Sequence, residues 1–352
     1  MKAIVYYGRQ DVRYEEFPDP EVPRPREVVL KVRSAGLCHT DVNEYLHGPV
    51  FIAQTPHPRT GRSIPLVIGH EFSGQVVEIG SDVRGTKVGD RVAVNSVDSC
   101  GKCFYCIRGR RALCRDAAYV GFSRDGGFAE YAAVPEECCH PLPPSVSDEA
   151  GALAEPFAVA LHGLSQSGLR VGDRAVVVGA GTIGMCMLQI LRVGGAEHVF
   201  VVEKSEAKRE IAEQLGASAV ISPDRTDPAK VVRDLTDGLG ADIAFECVGS
   251  ADSLRTAIEC ARGDGTVCVL GVFPGPLEFN WNDVLAREQK VLTSLAYADE
   301  FPVVISMLAD ARLKAEPLIT GYLPLSQLVE LGLKRYGAAG ATNIKTVVRV
   351  WA

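Results

Sequence analysis

No stretch of this 352-residue chain stays apolar for long enough to cross a bilayer; the longest candidates are interrupted by Gly, Asp or Lys. Positive charge is in deficit as well. With 37 Lys and Arg against 44 Asp and Glu the net charge is −7, and no basic stripe is available to displace counterions from phosphate, which argues against a nucleic-acid partner. Internal repeats and low-complexity segments are missing. The first residues, Met1-Lys2-Ala3-Ile4-Val5, run directly into a strand pattern and do not resemble a secretory signal, so the eleven cysteines predict a reducing cytoplasm instead of a disulfide framework. What is left is a globular chain, 47% hydrophobic and 23% charged, long enough for two domains around large cores.

Four of the cysteines are clustered. Cys100, Cys103, Cys106 and Cys114 read C-x2-C-x2-C-x7-C in a polar, loop-like stretch with Gly101, Lys102 and Gly109. Zinc takes four such ligands at the corners of a tetrahedron, with Zn–S near ~2.3 Å, and a lobe of four thiolates leaves no position for a substrate. The lobe, at about residues 96–116, is therefore predicted to hold one structural zinc and to stabilise the fold, with the chemistry elsewhere. Cys186, Cys247, Cys260 and Cys268 fall in predicted strands and helices and read as core, and the adjacent pair Cys138-Cys139 as thiols near a strand end.

Along the chain the texture changes once. Up to about residue 150, short β-type runs alternate with Pro and Gly turns: Ala3–Tyr6, Val28–Val32, Phe72–Ile79, Arg91–Asn95 and Tyr131–Val134. They predict an all-β, barrel-like lobe. From there to about 295, apolar strands (Ala175–Val178, Val199–Val202, Ala219–Ile221, Asp242–Cys247, Thr266–Leu270) alternate with helices starting at Thr182, Ser205 and Ala251. That alternation predicts a doubly wound parallel sheet, giving an α/β plus β chain. The expected domains are 1–153, 154–295 and a tail, 296–352, whose strand Thr346–Val350 returns to the first lobe.

Val176-Val-Val-Gly179-Ala180-Gly181-Thr182-Ile183-Gly184 sets G-x-G-x-x-G between a strand and a helix, the context that makes this pattern a dinucleotide site. Gly179 makes the turn, Gly181 lets backbone approach the pyrophosphate, Gly184 lets helix and strand pack, and Thr182 and Ile183 open the helix whose N-terminus faces the phosphates. Glu203 ends the next strand, nineteen residues after Gly184. A carboxylate there accepts from the ribose hydroxyls and repels a 2′-phosphate, so NAD is expected over NADP. Arg209 is grouped with the cofactor residues, since with Lys204 and Lys208 it could soften that preference, although on an exposed helix solvation is the expected role of all three.

Cys38-His39-Thr40-Asp41 lies at a strand end, Gly69-His70-Glu71 opens another strand, and Ala154-Glu155-Pro156 sits at the junction of the lobes. A thiolate, an imidazole and a carboxylate are the ligand kit of a catalytic zinc with one position open. Spacing alone does not group them, since a lone His or Cys on an apolar strand is more often core.

The whole chain resembles the zinc-containing medium-chain alcohol and polyol dehydrogenases, in Gly36-Leu-Cys38-His-Thr40-Asp41, Gly69-His70-Glu71-Phe-Ser-Gly74, Val88-Gly89-Asp90-Arg91-Val92, the four-cysteine lobe, Gly126-Gly127-Phe128-Ala129-Glu130-Tyr131, Glu155-Pro156 and the glycine fingerprint. Glu44-Tyr45-Leu46-His47-Gly48-Pro49-Val50-Phe51-Ile52, followed by Pro56-His57-Pro58 and Thr60-Gly61, looks like the insertion of the 2,3-butanediol dehydrogenase branch. The resemblance implies a GroES-like catalytic domain, a Rossmann domain and two zinc ions. By it Cys38, His70 and Glu155 would hold the catalytic zinc, Glu71 is a further ligand candidate, and Thr40 would hydrogen-bond the reacting hydroxyl and begin proton relay. Many polyol dehydrogenases carry a histidine five residues after the cysteine; Asn43 stands there instead and cannot titrate near neutrality, leaving His47, Glu44 or water as other proton routes.

The implied reaction is hydride transfer between NAD and a secondary alcohol or vicinal diol of the butanediol/acetoin type. Expected pocket walls come from 44–58, Tyr119–Phe122 and Gly271-Val272-Phe273. Sibling enzymes acting on sorbitol, threonine, or a cyclitol or amino-sugar intermediate share the same machinery. An inactive dinucleotide-binding protein, or a zinc-free reductase of this fold, would be missing a ligand at Cys38, His70 or Glu155, and all three are present. The resemblance also implies a homodimer or homotetramer, paired through the nucleotide lobe, with a small-molecule alcohol or ketone as the other partner.

Overall fold

Strand-forming runs in the first part of the chain collapse into two main sheets, with Val97–Asp98 and Ala118–Tyr119 pairing as a small third. The computed structural model describes residues 1–351 apart from 22 and 336–341. The larger sheet is built on the long strand Glu27–Leu37, which pairs antiparallel with Glu71–Ile79, Tyr131–Pro135 and Lys345–Arg349; Arg91–Val94, Cys139–Pro141 and Ile319–Pro324 extend it. Lys2–Gly8, Asp11–Glu16 and Leu66–Val67 form a second, three-stranded sheet. Their inner faces bury Ile4, Tyr6, Leu30, Phe72 and Phe128, each at most 1% exposed, in one apolar core. The tail returns as expected: Thr346 pairs with Leu37 and Val348 with Ala35, which carries the chain's last strand into the middle of the first lobe.

The second lobe is a six-stranded parallel sheet in the order Ala219–Ile221, His198–Val202, Arg174–Val178, Ala241–Glu246, Ala261–Val269, Lys290–Thr293. Numbered along the chain this is 3-2-1-4-5-6, the doubly wound order, which places a crevice at the carboxyl ends of the two central strands. Ala175, Val176 and Val177 are fully buried because helices cover both faces of their sheet, which is why these strands read as unbroken apolar runs.

Helices Asp148–Ala152 and Ala154–Ser167 join the lobes. Their start was legible in Ser147, whose side chain accepts from Ala150 N at 3.0 Å ahead of Asp148 and Glu149. Pro228–Asp234 is a further helix that hydrophobic periodicity missed; Asp227 caps it and Pro228 opens it.

Candidate active site and metal centres

In the four-cysteine lobe all four sulfur atoms lie within 4.8 Å of one another. Cys103 Sγ is 3.5 Å and Cys100 Sγ 3.9 Å from Cys106 Sγ, far beyond a disulfide bond of ~2.05 Å. Cys100 N donates to Cys114 Sγ at 3.4 Å. The backbone amide of Cys106 leads the interactions that lower the Cys103 thiol to about 6, whereas burial pushes Cys114 up to about 12. This donor set suits a soft, tetrahedral cation and offers no open corner.

The second cluster assembles where the strand Glu27–Leu37 gives way to the helix His39–His47. Cys38 caps that helix: its sulfur accepts from Thr40 N at 3.4 Å, and its own amide donates to Asp41 Oδ2 at 3.0 Å. The reciprocal cap fixes the sulfur and turns Asp41 Oδ1 toward His70 Nδ1, 3.4 Å away. Thr40 Oγ1 stands 3.5 Å from the sulfur. Cys38, His70 and Glu71 bring one donor atom each to within 4.8 Å of the others. Burial alone would lower the His70 pKa, but the facing Asp41 carboxylate and Cys38 sulfur outweigh it and hold the imidazole well above its usual value.

Glu71 is buried with its Oε2 accepting from Lys345 Nζ at 2.5 Å; the same ammonium donates to Leu37 O at 3.2 Å. Only a glycine tolerates this carboxylate at position 36, where a side-chain carbon would sit 2.1 Å from Glu71 Oε2. Glu155, in the first turn of Ala154–Ser167, is also buried but lies outside the three-donor set. The nearby Tyr297 hydroxyl accepts from Ser96 N at 3.0 Å. Burial, aided by the nearby Glu71 charge and opposed by His70 and Lys345, raises Glu155 to about 7. Of the alternative proton routes, His47 is exposed and Glu44 is wholly buried with its carboxylate bonded to the amides of Val50 and Phe51; Asn43, which cannot titrate, is half-buried.

At the nucleotide end Gly179 has φ +96°, and a carbon added at Gly184 would sit 1.8 Å from Gly179 O, so both positions require glycine. Gly181 caps the helix Thr182–Val193 and faces open space. Glu203 closes the turn, accepting from Ala180 N at 2.7 Å and Ser205 N at 2.8 Å. Thr182 Oγ1 donates to Ile344 O at 2.5 Å, linking the fingerprint to the returning tail, and Ile183 is half-buried. Arg209 departs from the expected exposed, solvated position. It is 7% exposed, and its guanidinium folds back on Glu203 O (3.0 Å), Lys204 O (2.5 Å) and the Glu206 carboxylate. A buried guanidinium needs such acceptors, and here they brace the loop behind the Glu203 carboxylate.

Two family descriptions match the chain: an alcohol dehydrogenase GroES-like domain over residues 24–144 and a zinc-binding dehydrogenase over residues 182–310. The (R,R)-butanediol dehydrogenase of Bacillus subtilis (strain 168) is 37% identical, the alignment covering 99% of both chains. This chain belongs to the zinc-binding alcohol dehydrogenases. The solved 2R,3R-butanediol dehydrogenase from Bacillus subtilis superposes with a TM-score of 0.90 at 35% identity and 99% coverage of each chain. A zinc-binding dehydrogenase structure from Sinorhizobium meliloti 1021, bound to NADP, gives 0.89 at 31% identity, again covering 99% of each.

Within this zinc-binding dehydrogenase the sequence reading missed Asp41, Tyr297 and Lys345. Asp41 was readable: it stands three residues after Cys38, the spacing of a reciprocal cap. Tyr297 and Lys345 carried no local signal, because Ser96 and Glu71, the groups they meet, lie 201 and 274 residues away in the chain.

Proposed function

We propose that this dehydrogenase moves hydride between NAD and a short secondary alcohol bearing a neighbouring oxygen, a vicinal diol or acyloin of the butanediol type. The observation that carries the reading is the cluster of thiol, imidazole and carboxylate donors within 4.8 Å, with the Thr40 hydroxyl beside it. Cys38, His70 and Glu71 would hold zinc there, and Cys100, Cys103, Cys106 and Cys114 a second, structural zinc. The Lewis-acid polarisation of the alcohol oxygen is the chemistry that the first of these ions supplies. Asp41 orients His70, Lys345 occupies one oxygen of Glu71 and would leave the other for the metal, and Glu155 is a further buried carboxylate whose charge interacts with His70 and Glu71. Thr40 would hold the proton of the reacting hydroxyl. Glu203 supports NAD over NADP, since its carboxylate edges the site where a 2′-phosphate would lie.

Domains divide in this reading at 153 and 295, and a pool of cysteines with no pairing fits a reducing compartment. Two copies would pair along Lys290–Thr293, which has a single sheet neighbour among the described residues; Trp281 and Leu285 near it are 64% and 72% exposed. The reading separates the two carboxylates experimentally. Glu71→Gln is expected to lower bound zinc from two ions toward one per chain, while Glu155→Gln keeps both and loses turnover. Metal analysis beside an NADH assay checks this, and equal zinc loss in both variants would reassign Glu155 as a ligand.

A further inference from the structure

Glu44 is the buried acid that the metal chemistry does not use. It is 0% exposed, on the helix His39–His47, and its carboxylate is bonded into the segment that follows the helix. Oε2 accepts from Val50 N at 2.9 Å and Oε1 from Phe51 N at 2.5 Å. The cradle is closed from the other side: a carbon added at Gly48 would stand 2.6 Å from Glu44 Oε2 and 2.6 Å from the Tyr6 hydroxyl. Each carboxylate oxygen accepts a backbone amide here, so Glu44 ties the helix to the loop that follows it.

The loop it holds reaches the metal site through aromatic contacts. Phe51, 50% exposed, meets Phe122 edge-on with ring centroids 6.0 Å apart, and Phe122 lies 4.8 Å from the His70 ring. Ala53 N donates to Phe122 O at 3.3 Å, laying the segment along this wall. An exposed phenylalanine beside a site for a polar reacting group offers apolar surface to whatever flanks the reacting carbon.

We infer that Glu44 is a positioning residue for substrate selection: by clamping Val50 and Phe51 it sets the Phe51–Phe122 wall beside His70, which favours alcohols with a short apolar substituent over extended polyols. The inference rests on the proposed reading that His70 serves the metal binding the reacting oxygen. Glutamine at position 44 keeps the shape but turns one acceptor into a donor facing an amide.

The test is a set of three full-length variants, Glu44→Gln, Gly48→Ala and Phe51→Ala. Amide hydrogen exchange over residues 48–54 reads the clamp without any substrate, and Glu44→Gln is expected to speed it about fivefold to tenfold, the worth of one lost hydrogen bond. Initial rates with 2,3-butanediol and sorbitol read the wall. Phe51→Ala and Glu44→Gln should each lower the ratio of kcat/KM for butanediol to that for sorbitol by about tenfold, the scale of one lost apolar contact, chiefly through KM, and the double variant should fall little further. Gly48→Ala, which crowds the Glu44 carboxylate at 2.6 Å and its backbone carbonyl at 2.2 Å without removing either, should act in the same direction and stands in if Glu44→Gln does not fold. Unchanged exchange, or a ratio that moves in Phe51→Ala alone, overturns the role of Glu44; a fall in kcat at constant KM with a displaced pH profile makes it a proton carrier instead. If the parent enzyme oxidises neither alcohol, the proposed function fails. The exchange result, with the size preference among the alcohols it does oxidise, still decides the clamp.

Discussion

Lys345 is the side chain on which the metal site leans most heavily. Its ammonium and the Glu71 carboxylate are 1% and 2% exposed, and removing one takes the paired opposite charge from the other in a low-dielectric interior. Lys345→Met should therefore destabilise the fold by about 3–5 kcal/mol, the usual cost of stranding one member of a buried pair. Urea unfolding measures it, and Lys345→Met combined with Glu71→Gln should recover part of the loss. Recovery would be absent if Lys345 acted only through the Leu37 carbonyl, to which it donates at 3.2 Å.

Elements meet at the lobe junction through a second buried pair. His162, on the helix Ala154–Ser167 that begins beside Glu155, holds Glu300 at 2.6 Å, and Glu300 immediately precedes the helix Phe301–Ala309. Burial works to raise the Glu300 pKa, but His162 and the Ala298 amide prevail and lower it below its usual 4.5. A carboxylate depressed in the folded state lends stability above the unfolded value and loses it as pH falls through the folded one. Glu300→Gln should thus be less stable than the parent at neutral pH and should lose less on acidification below about 4.5, which thermal melts across pH will show. Parallel melting curves at every pH would remove this pair from the account.

How much was legible in the chain follows the range of the interaction. The strands Ala175–Val178 and Ala219–Ile221, the turn at Gly179 and the thiols of residues 100–114 are set by neighbours within a few turns, and the sequence pattern carries them. Cys38, His70 and Glu155 needed a resemblance to be grouped, since only tertiary pairing brings Gly36 opposite Glu71. Arg209 was misread as exposed because helical position says nothing of carbonyls offered by a preceding loop. Tyr297 and Lys345 arrive from the far end of the chain and could not be found locally.

For the molecule as a whole, the returning strand Lys345–Arg349 makes the two lobes interdependent: it completes the sheet of the first while Ile344 accepts from Thr182 in the cofactor turn of the second. The edge at Lys290–Thr293, with one sheet neighbour among the described residues, sets the expectation for assembly. Sedimentation should give at least twice the chain mass of 37.7 kDa, and Leu285→Glu should shift it toward a single chain; a monomer in the parent would leave the exposed Trp281 and Leu285 unaccounted for. The central claim is the zinc-dependent oxidation of a vicinal diol with NAD. It is tested most directly by initial-rate NADH formation on (R,R)-, (S,S)- and meso-2,3-butanediol, before chelation, after removal of the accessible zinc, and after its return. The account predicts stereoselective turnover that vanishes with the metal and comes back with it, whereas turnover indifferent to zinc, or none in the zinc-replete enzyme, would contradict it.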